Sequence, residues 1–308
     1  MDHALLWACA GVLALLAVAT LIGQILRTVL PPSPVIQNLN QRIYAWWIMC
    51  VVFGLTLVVG SVGSLVLFGC LSFLALREYV TLIDTRRADH RTLFWTFFAF
   101  TPLQYLFLGI KWTGFFIVIP VYAFLFIPSA MALAGDTTAF LERAAKIQWG
   151  LMICVYCLSY APALLTLQIH NGYAPNVKLL LFLVIVAQLS DVLQYVYGKL
   201  FGRHRIAPNV SPNKTWEGFL GGTLTATAIG TSLWWMTPFA PAAAGGLAFM
   251  ITILGFAGGV VMSAIKRDRG VKDFGNLIQG HGGILDRMDS VIFAAPVFFH
   301  VVRFFYGV

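Results

Sequence analysis

The stretch LLLFLVIVAQLSDVLQYVYGKLF, residues 179–201, decides the fold class. Its apolar residues run on without the alternation of a half-buried strand, and they reach the roughly 20 residues a helix needs to cross a bilayer. In lipid a backbone must satisfy its own polar groups, which leaves a helix or a closed barrel. A continuous run selects the helix. One carboxylate, Asp191, stands inside this run. An ionisable group within a span costs about 2.5–3.5 kcal/mol on insertion scales, so it is normally paired or functional. Two readings stay open for it: a structural hydrogen bond between helices, or a carboxylate aimed at a cation.

The same pattern recurs along the chain. Mean hydropathy is +0.84 over 308 residues and only 10% of them are charged, against about a quarter in soluble domains. The predicted spans are 4–26, 44–60, 62–77, 92–110, 113–134, 147–169, 178–200, 216–235, 243–265 and 289–307. The expected fold class is therefore an all-α, polytopic integral membrane protein with about ten transmembrane helices. Residues 1–177 form a scaffold of spans, and residues 178–308 carry the polar loops. The first apolar run lacks a basic leader and is read as a retained span. All five cysteines, including the Cys154 and Cys157 pair, fall inside apolar runs and read as small packing residues.

A net charge of +8 does not indicate nucleic acid here, because the basic residues sit in short loops between spans. With the N-terminus on the non-cytoplasmic side, 17 of the 20 Lys and Arg fall on the cytoplasmic side; Lys111, Lys178 and Arg303 do not. That asymmetry satisfies the positive-inside rule. It puts both termini outside and the polar loops 199–215 and 266–288 in the cytoplasm. A bacterial cytoplasmic membrane is the expected location.

Those two loops carry the chemistry. In SPNKTWEGFLGG, residues 211–222, Ser211 reads as a helix cap and Pro212 as its first turn. Free N–H groups at such an end bind phosphate, with Lys214 as a cation and Asn213 and Thr215 as hydrogen-bonding groups. Taken alone, the stretch fits an ordinary helix start with a snorkelling lysine equally well. The second stretch, KRDRGVKDFGNLIQGHGGILDRMD at 266–289, is richer and holds nine of the chain's 20 basic and 12 acidic residues. Lys266, Arg267 and Lys272 suit a polyphosphate. Asp286 and Asp289 are three apart and share a helical face; with Asp273 nearby they suit a hard divalent ion such as Mg²⁺. The glycines of GHGG let backbone approach phosphate closely. His281, with no second ligand at metal spacing, reads as a hydrogen-bond donor to phosphate or a loop carbonyl. Trp216 reads as an interface anchor.

From Ser263 to Asp289 the text SAIKRDRGVKDFGNLIQGHGGILDRMD resembles the signature of the phosphatidate cytidylyltransferases (CDP-diacylglycerol synthases), S-x-x-K-R-x-x-x-x-K-D followed by G-H-G-G-x-x-D-R-x-D. SPNKTWEG and the segment from Asp191 to Gly202 resemble the other block of that family, so the likeness covers residues 191–289. Before it, only ALREYV at 75–80 is similar. Three positions depart from the pattern. Gly259 stands where many bacterial members have an acid of the metal centre, Gln279 where proline is usual, and Gln194 where alanine is common. The chain thus looks like a divergent branch.

The resemblance implies CTP and phosphatidate as substrates, CDP-diacylglycerol and pyrophosphate as products, and Mg²⁺ as cofactor. On that reading Asp191, Asp286 and Asp289 hold the metal, with Asp273 beside them. Lys266, Arg267, Lys272, Lys214 and Arg287 grip triphosphate or lipid phosphate, and Ser211, Asn213, Thr215, His281, Gly282 and Gly283 complete the substrate contacts. Partners are membrane lipids, with homodimerisation left open. The rival readings are a CTP-dependent lipid kinase, an anionic-solute transporter using Asp191, and a catalytically silent paralogue.

Overall fold

The computed structural model describes residues 3–31, 33–170, 173, 176–278 and 282–307. Ten helical runs follow one another among them: α1 His3–Val29, α2 Pro34–Val59, α3 Ser61–Leu82, α4 over 90–109, α5 Phe115–Leu133, α6 Phe140–Thr166, α7 Val177–Phe201, α8 Trp216–Ser232, α9 Pro241–Asp268 and α10 Leu285–Tyr306. Eight of these are long and apolar enough to cross a membrane; α4 and α8 occupy the places of the fourth and eighth predicted spans. The all-α, polytopic expectation holds.

Boundaries differ where polar residues extend a helix beyond its apolar stretch. Helix α2 starts at Pro34 instead of 44 because the Ser33 side chain caps it, accepting from the Ile36 N–H at 3.3 Å, with proline at the first position. Helix α3 runs to Leu82 instead of 77, which puts Glu78 on a helix. Between α2 and α3 the chain turns at Gly60, whose φ of 84° falls in a region that glycine enters without steric cost.

The core lies among α6, α7, α9 and α10, where Tyr160, Leu180, Phe182, Ile251, Phe298 and Phe299 are buried. Helix α10 packs against α3 and α6 of the first sequence segment and against α7 and α9 of the second. Helices α7 and α8 cross at a seam of glycines. A Cβ built on Gly218 would stand 3.0 Å from the Gly198 Cα, and one on Gly222 would stand 2.5 Å from the Gln194 nitrogen. Small residues of this kind let helix backbones approach in lipid, where dispersion packing replaces the hydrophobic effect. Outward-facing Leu21 on α1 and Leu55 on α2 are each 63% exposed, as lipid-facing side chains are.

The polar loops gather at one end of the bundle. There the loop after α3 meets the start of α6 and the end of α9. Arg143 pairs with Asp89 at 2.6 Å, both buried, and Arg269 pairs with Asp84 at 2.8 Å. The guanidinium of Arg269 and the ammonium of Lys146 hydrogen-bond to Asp84 and hold its carboxyl below the usual range.

Candidate active site

Helices α7, α8, α9 and α10 present one cluster of charge at this end. Asp191 comes from α7, Asp289 from the second turn of α10, and Lys214 from the segment before α8. Gly259 of α9 forms its floor. A Cβ built there would stand 2.7 Å from Lys214 Nζ and 3.5 Å from Asp289 Oδ2. The ammonium donates to the Phe256 carbonyl at 3.4 Å and lies 4.4 Å from the centre of that ring. It interacts with both Asp191 and Asp289. Burial lowers the pKa of Lys214 below the ordinary lysine value, while the two carboxylates pull it upward. Arg287 faces the same two carboxylates, and its Nε–H is buried without a partner among the described residues. The Ser290 hydroxyl approaches Asp191 without closing a hydrogen bond of normal geometry.

Asp286 lies apart from this cluster. Its Oδ1 accepts from Lys266 Nζ at 2.7 Å, and its Oδ2 accepts from the backbone N–H of Phe274 at 2.8 Å and of Gly283 at 3.0 Å. The carboxylate therefore folds the glycine loop over the end of α9, and Lys266 is its counter-ion. Beneath the same loop stands Glu78. Its two oxygens accept from the N–H groups of Ile284 at 3.0 Å and Leu285 at 2.9 Å, capping α10 from 206 residues away. An acid at a helix N-terminus satisfies orphan donors and complements the helix dipole. Gly283 has to be glycine for this contact, because a Cβ there would stand 2.3 Å from Glu78 Oε2. Gly282, at φ 84°, turns the loop, and its carbonyl accepts from Ile278 N–H at 2.9 Å.

The first polar loop is a hairpin, with β1 at Arg205–Ala207 antiparallel to β2 at Ser211–Thr215. This corrects the expected cap. Ser211 and Pro212 lie in the strand, and α8 is capped by Thr215, whose hydroxyl accepts from Gly218 N–H at 3.2 Å. The reason lies in Glu217, whose carboxylate accepts from the N–H groups of Arg203 at 3.0 Å and His204 at 3.2 Å. That draws the preceding chain alongside residues 211–215 in place of a helical turn. Asn213 is exposed at the hairpin surface, and Lys214 points inward. Arg267 ties hairpin to glycine loop by donating to the carbonyls of Val210 at 3.3 Å and Val271 at 3.0 Å. Lys272 and Asp273 are exposed. His281 and Gln279 lie outside the described residues.

The expected three-acid metal set is not assembled. Among the described residues no three His, Cys, Asp or Glu side chains converge as a metal-holding group, and both oxygens of Asp286 are engaged elsewhere. Asp191 and Asp289 alone still fit Mg²⁺, which is commonly held by one or two carboxylates together with substrate phosphates. The donor set suits a metal that arrives with a polyphosphate.

An intramembrane acid pair, a cation between two loops and a glycine loop over a capped helix now stand together at one polar face. The model of the cytidylyltransferase family matches residues 40–305, which spans all of these groups. The chain belongs to the cytidylyltransferase family. Like other members of this family of enzymes it is a nucleotidyltransferase, here with eight helices long and apolar enough to cross a membrane among the described residues. Over 300 residues it is 41% identical to an Escherichia coli (strain K12) protein named only as uncharacterized YnbB, covering 96% of this chain and 97% of that one. It is 43% identical over 119 residues to the phosphatidate cytidylyltransferase of Mycobacterium leprae, 37% of each chain. Over 133 residues it is 38% identical to that of Staphylococcus saprophyticus, 42% of this chain and 50% of the relative. The chain thus matches half or less of the length of these two relatives. This cytidylyltransferase stands on a divergent branch, as its departures at Gly259, Gln279 and Gln194 suggest.

Of the site residues, Glu78 is the one that sequence reasoning missed. The only signal was the ALREYV likeness, an isolated acid ending an apolar run.

Proposed function

We propose that this cytidylyltransferase joins CTP to a lipid phosphate, phosphatidate or a close relative, giving a CDP-lipid and pyrophosphate. The observation that carries the reading is the convergence of Asp191, Asp289 and Lys214 over Gly259, with the charge of Arg287 acting on the same two carboxylates and its buried Nε–H without a partner among the described residues. Such a site accepts a polyanion whose charge is shared between ammonium, guanidinium and a carboxylate-held cation. The printed names of the Mycobacterium and Staphylococcus relatives agree with it.

In the reaction an oxygen of the lipid phosphate attacks the α-phosphorus of CTP. A new P–O–P linkage forms, the bond to the β-phosphate breaks, and pyrophosphate leaves with the electron pair. The lipid phosphate is already anionic near neutral pH, so no protein nucleophile is required. What the protein supplies is position and charge, which account for most of the rate in phosphoryl transfer. Lys214 and Arg287 hold phosphate oxygens at the carboxylate pair. Lys266 and Asp286 keep the glycine loop in place over the end of α9, and Arg267 holds the hairpin to it. Thr215 fixes the start of α8 by accepting from the Gly218 N–H. Asp191 and Asp289 would hold Mg²⁺, which when bound supplies neutralisation of the triphosphate and of the departing pyrophosphate. The lipid enters sideways from the cytoplasmic leaflet, and the site faces the cytoplasm with both termini on the other side.

The test uses purified protein in detergent with Mg²⁺, phosphatidate and CTP labelled at either the α- or the γ-phosphorus. Label from the α-position must appear in lipid. Label from the γ-position in lipid would make the protein a kinase, and no lipid labelling with any phosphorylated lipid would remove the reading.

A further inference from the structure

The opposite end of the bundle holds a second site. A cavity of about 180 Å³ opens between the α4–α5 turn, the end of α6 and the end of α10. Its polar lining includes Lys111, Thr113, Gln168 and Arg303. Arg303 follows Asp289 by fourteen residues on one helix, about 21 Å at 1.5 Å per residue, so this cavity and the catalytic cluster belong to opposite membrane faces. The two basic side chains are not used by the mechanism.

Three independent observations point to an anionic ligand. The first is charge. Eleven of the chain's 12 acidic residues, all but Asp2, lie on α7 or in segments at the catalytic end, and among the described residues no Asp or Glu lines the cavity. Among the described residues neither Lys111 nor Arg303 takes part in an ion pair. The positive-inside rule disfavours cations on this face, yet two of the three found there converge on one cavity. The second is preparation. The Arg303 guanidinium is laid over the Phe116 ring, 5.0 Å from its centre, which holds it in place without neutralising it. Lys111, at φ 57°, is the left-handed residue that ends α4; Trp112 N–H donates to the Phe107 carbonyl at 2.9 Å and Lys111 N–H to that of Leu108 at 3.1 Å, which fixes the turn that carries the lysine. The third is an amphipathic floor. Phe115 and Phe299 are buried, and their centroids lie 4.0 Å and 5.8 Å from that of Phe116. Trp112 and Phe304, next in sequence to Lys111 and Arg303, are 45% and 81% exposed, as residues at a lipid–water boundary are.

We infer that this cavity binds the phosphate of a membrane phospholipid, with Lys111 and Arg303 on the phosphate oxygens, the Thr113 hydroxyl and Gln168 amide beside them, and the glycerol end against the phenylalanines. The ligand ties the α4–α5 turn to the end of α10.

The experiment measures binding of dihexanoyl phosphatidylglycerol and, separately, of inorganic phosphate to the purified full chain by native mass spectrometry and by thermal shift. Variants are Arg303→Gln and Lys111→Gly; the second removes a charge while giving φ 57° the residue best suited to it. The short-chain lipid must bind the wild type and lose about tenfold or more in affinity in each variant, since each removes a charge-assisted hydrogen bond. Both variants keep transfer from labelled CTP, which certifies their fold. Inorganic phosphate binding as well as the lipid would replace the lipid by a soluble phosphate as ligand. Equal lipid affinity in wild type and in Lys111→Gly would overturn the site outright, because that variant carries no folding penalty.

Discussion

Replacing Glu78 by alanine should damage the catalytic end without touching any group that meets substrate. The Glu78 carboxylate accepts from Ile284 N–H at 3.0 Å and Leu285 N–H at 2.9 Å, both in part-buried surroundings. Truncation leaves two backbone donors at the start of α10 with no acceptor, and each unsatisfied donor costs about 1–3 kcal/mol. A favourable charge at the helix N-terminus, worth about 0.3–1 kcal/mol, is lost as well. The expected destabilisation is therefore about 2–7 kcal/mol, expressed as local loosening of residues 282–285. Glu78→Gln, which keeps one acceptor oxygen but turns an amide N–H toward a backbone N–H, should fall between wild type and alanine. Thermal unfolding in detergent reads the stability. Hydrogen exchange at Ile284 and Leu285 reads the local effect, and transfer from labelled CTP reads the function. Activity should fall with KM for CTP rising, because the glycine loop is no longer seated. If Glu78→Ala unfolds at the wild-type temperature and keeps slow exchange at Leu285, the cap contributes nothing and the reasoning fails.

Other perturbations separate the parts of the site. Gly283→Ala should cost about 1–3 kcal/mol through overpacking, since its Cβ would stand 2.3 Å from Glu78 Oε2; pairing it with Glu78→Ala should recover part of that loss in the same unfolding assay. Asp286→Asn should act mainly on stability, by about 3 kcal/mol, because it breaks the buried pair with Lys266 at 2.7 Å. Asp289→Asn should instead lower turnover roughly 100-fold or more, about 2.7 kcal/mol in activation free energy, with unfolding unchanged. For Lys214 the pH profile is diagnostic. Burial lowers its pKa and the ammonium is the form that holds phosphate, so kcat/KM for CTP should fall with rising pH below the ordinary lysine value of about 10.4. In Lys214→Arg that alkaline limb should vanish, and its persistence would assign the limb to another group.

Much of this architecture is legible in the chain itself. Hydropathy locates the eight long apolar helices, because a span has to hide its backbone in about twenty apolar residues whatever it packs against. Asp191 declares itself for the opposite reason: nothing local explains a carboxylate in LLLFLVIVAQLSDVLQYVYGKLF. Lys214 and Asp289 are legible as charges at span ends, and the fold brings both to Asp191. What local reading does not supply is the division of labour among acids. Asp286 and Asp289 share a helical face, yet Asp286 is drawn away by two backbone donors and Lys266, contacts fixed by the path of a loop. Glu78 reaches α10 across 206 residues, beyond any periodicity. The hairpin was hidden because Ser-Pro ahead of an apolar run reads as a helix start, whereas Glu217 gathers the N–H groups of Arg203 and His204 and leaves capping to Thr215.

The most direct test of the account is binding of Mn²⁺, as a paramagnetic stand-in for Mg²⁺, measured by electron paramagnetic resonance in the presence of a non-hydrolysable CTP analogue. Wild type and folded Asp286→Asn should each bind the metal with the nucleotide, while Asp191→Asn and Asp289→Asn should lose it. Undiminished binding in Asp191→Asn and Asp289→Asn, or loss confined to Asp286→Asn, would contradict a site built on the carboxylates that α7 and α10 bring together beside Lys214.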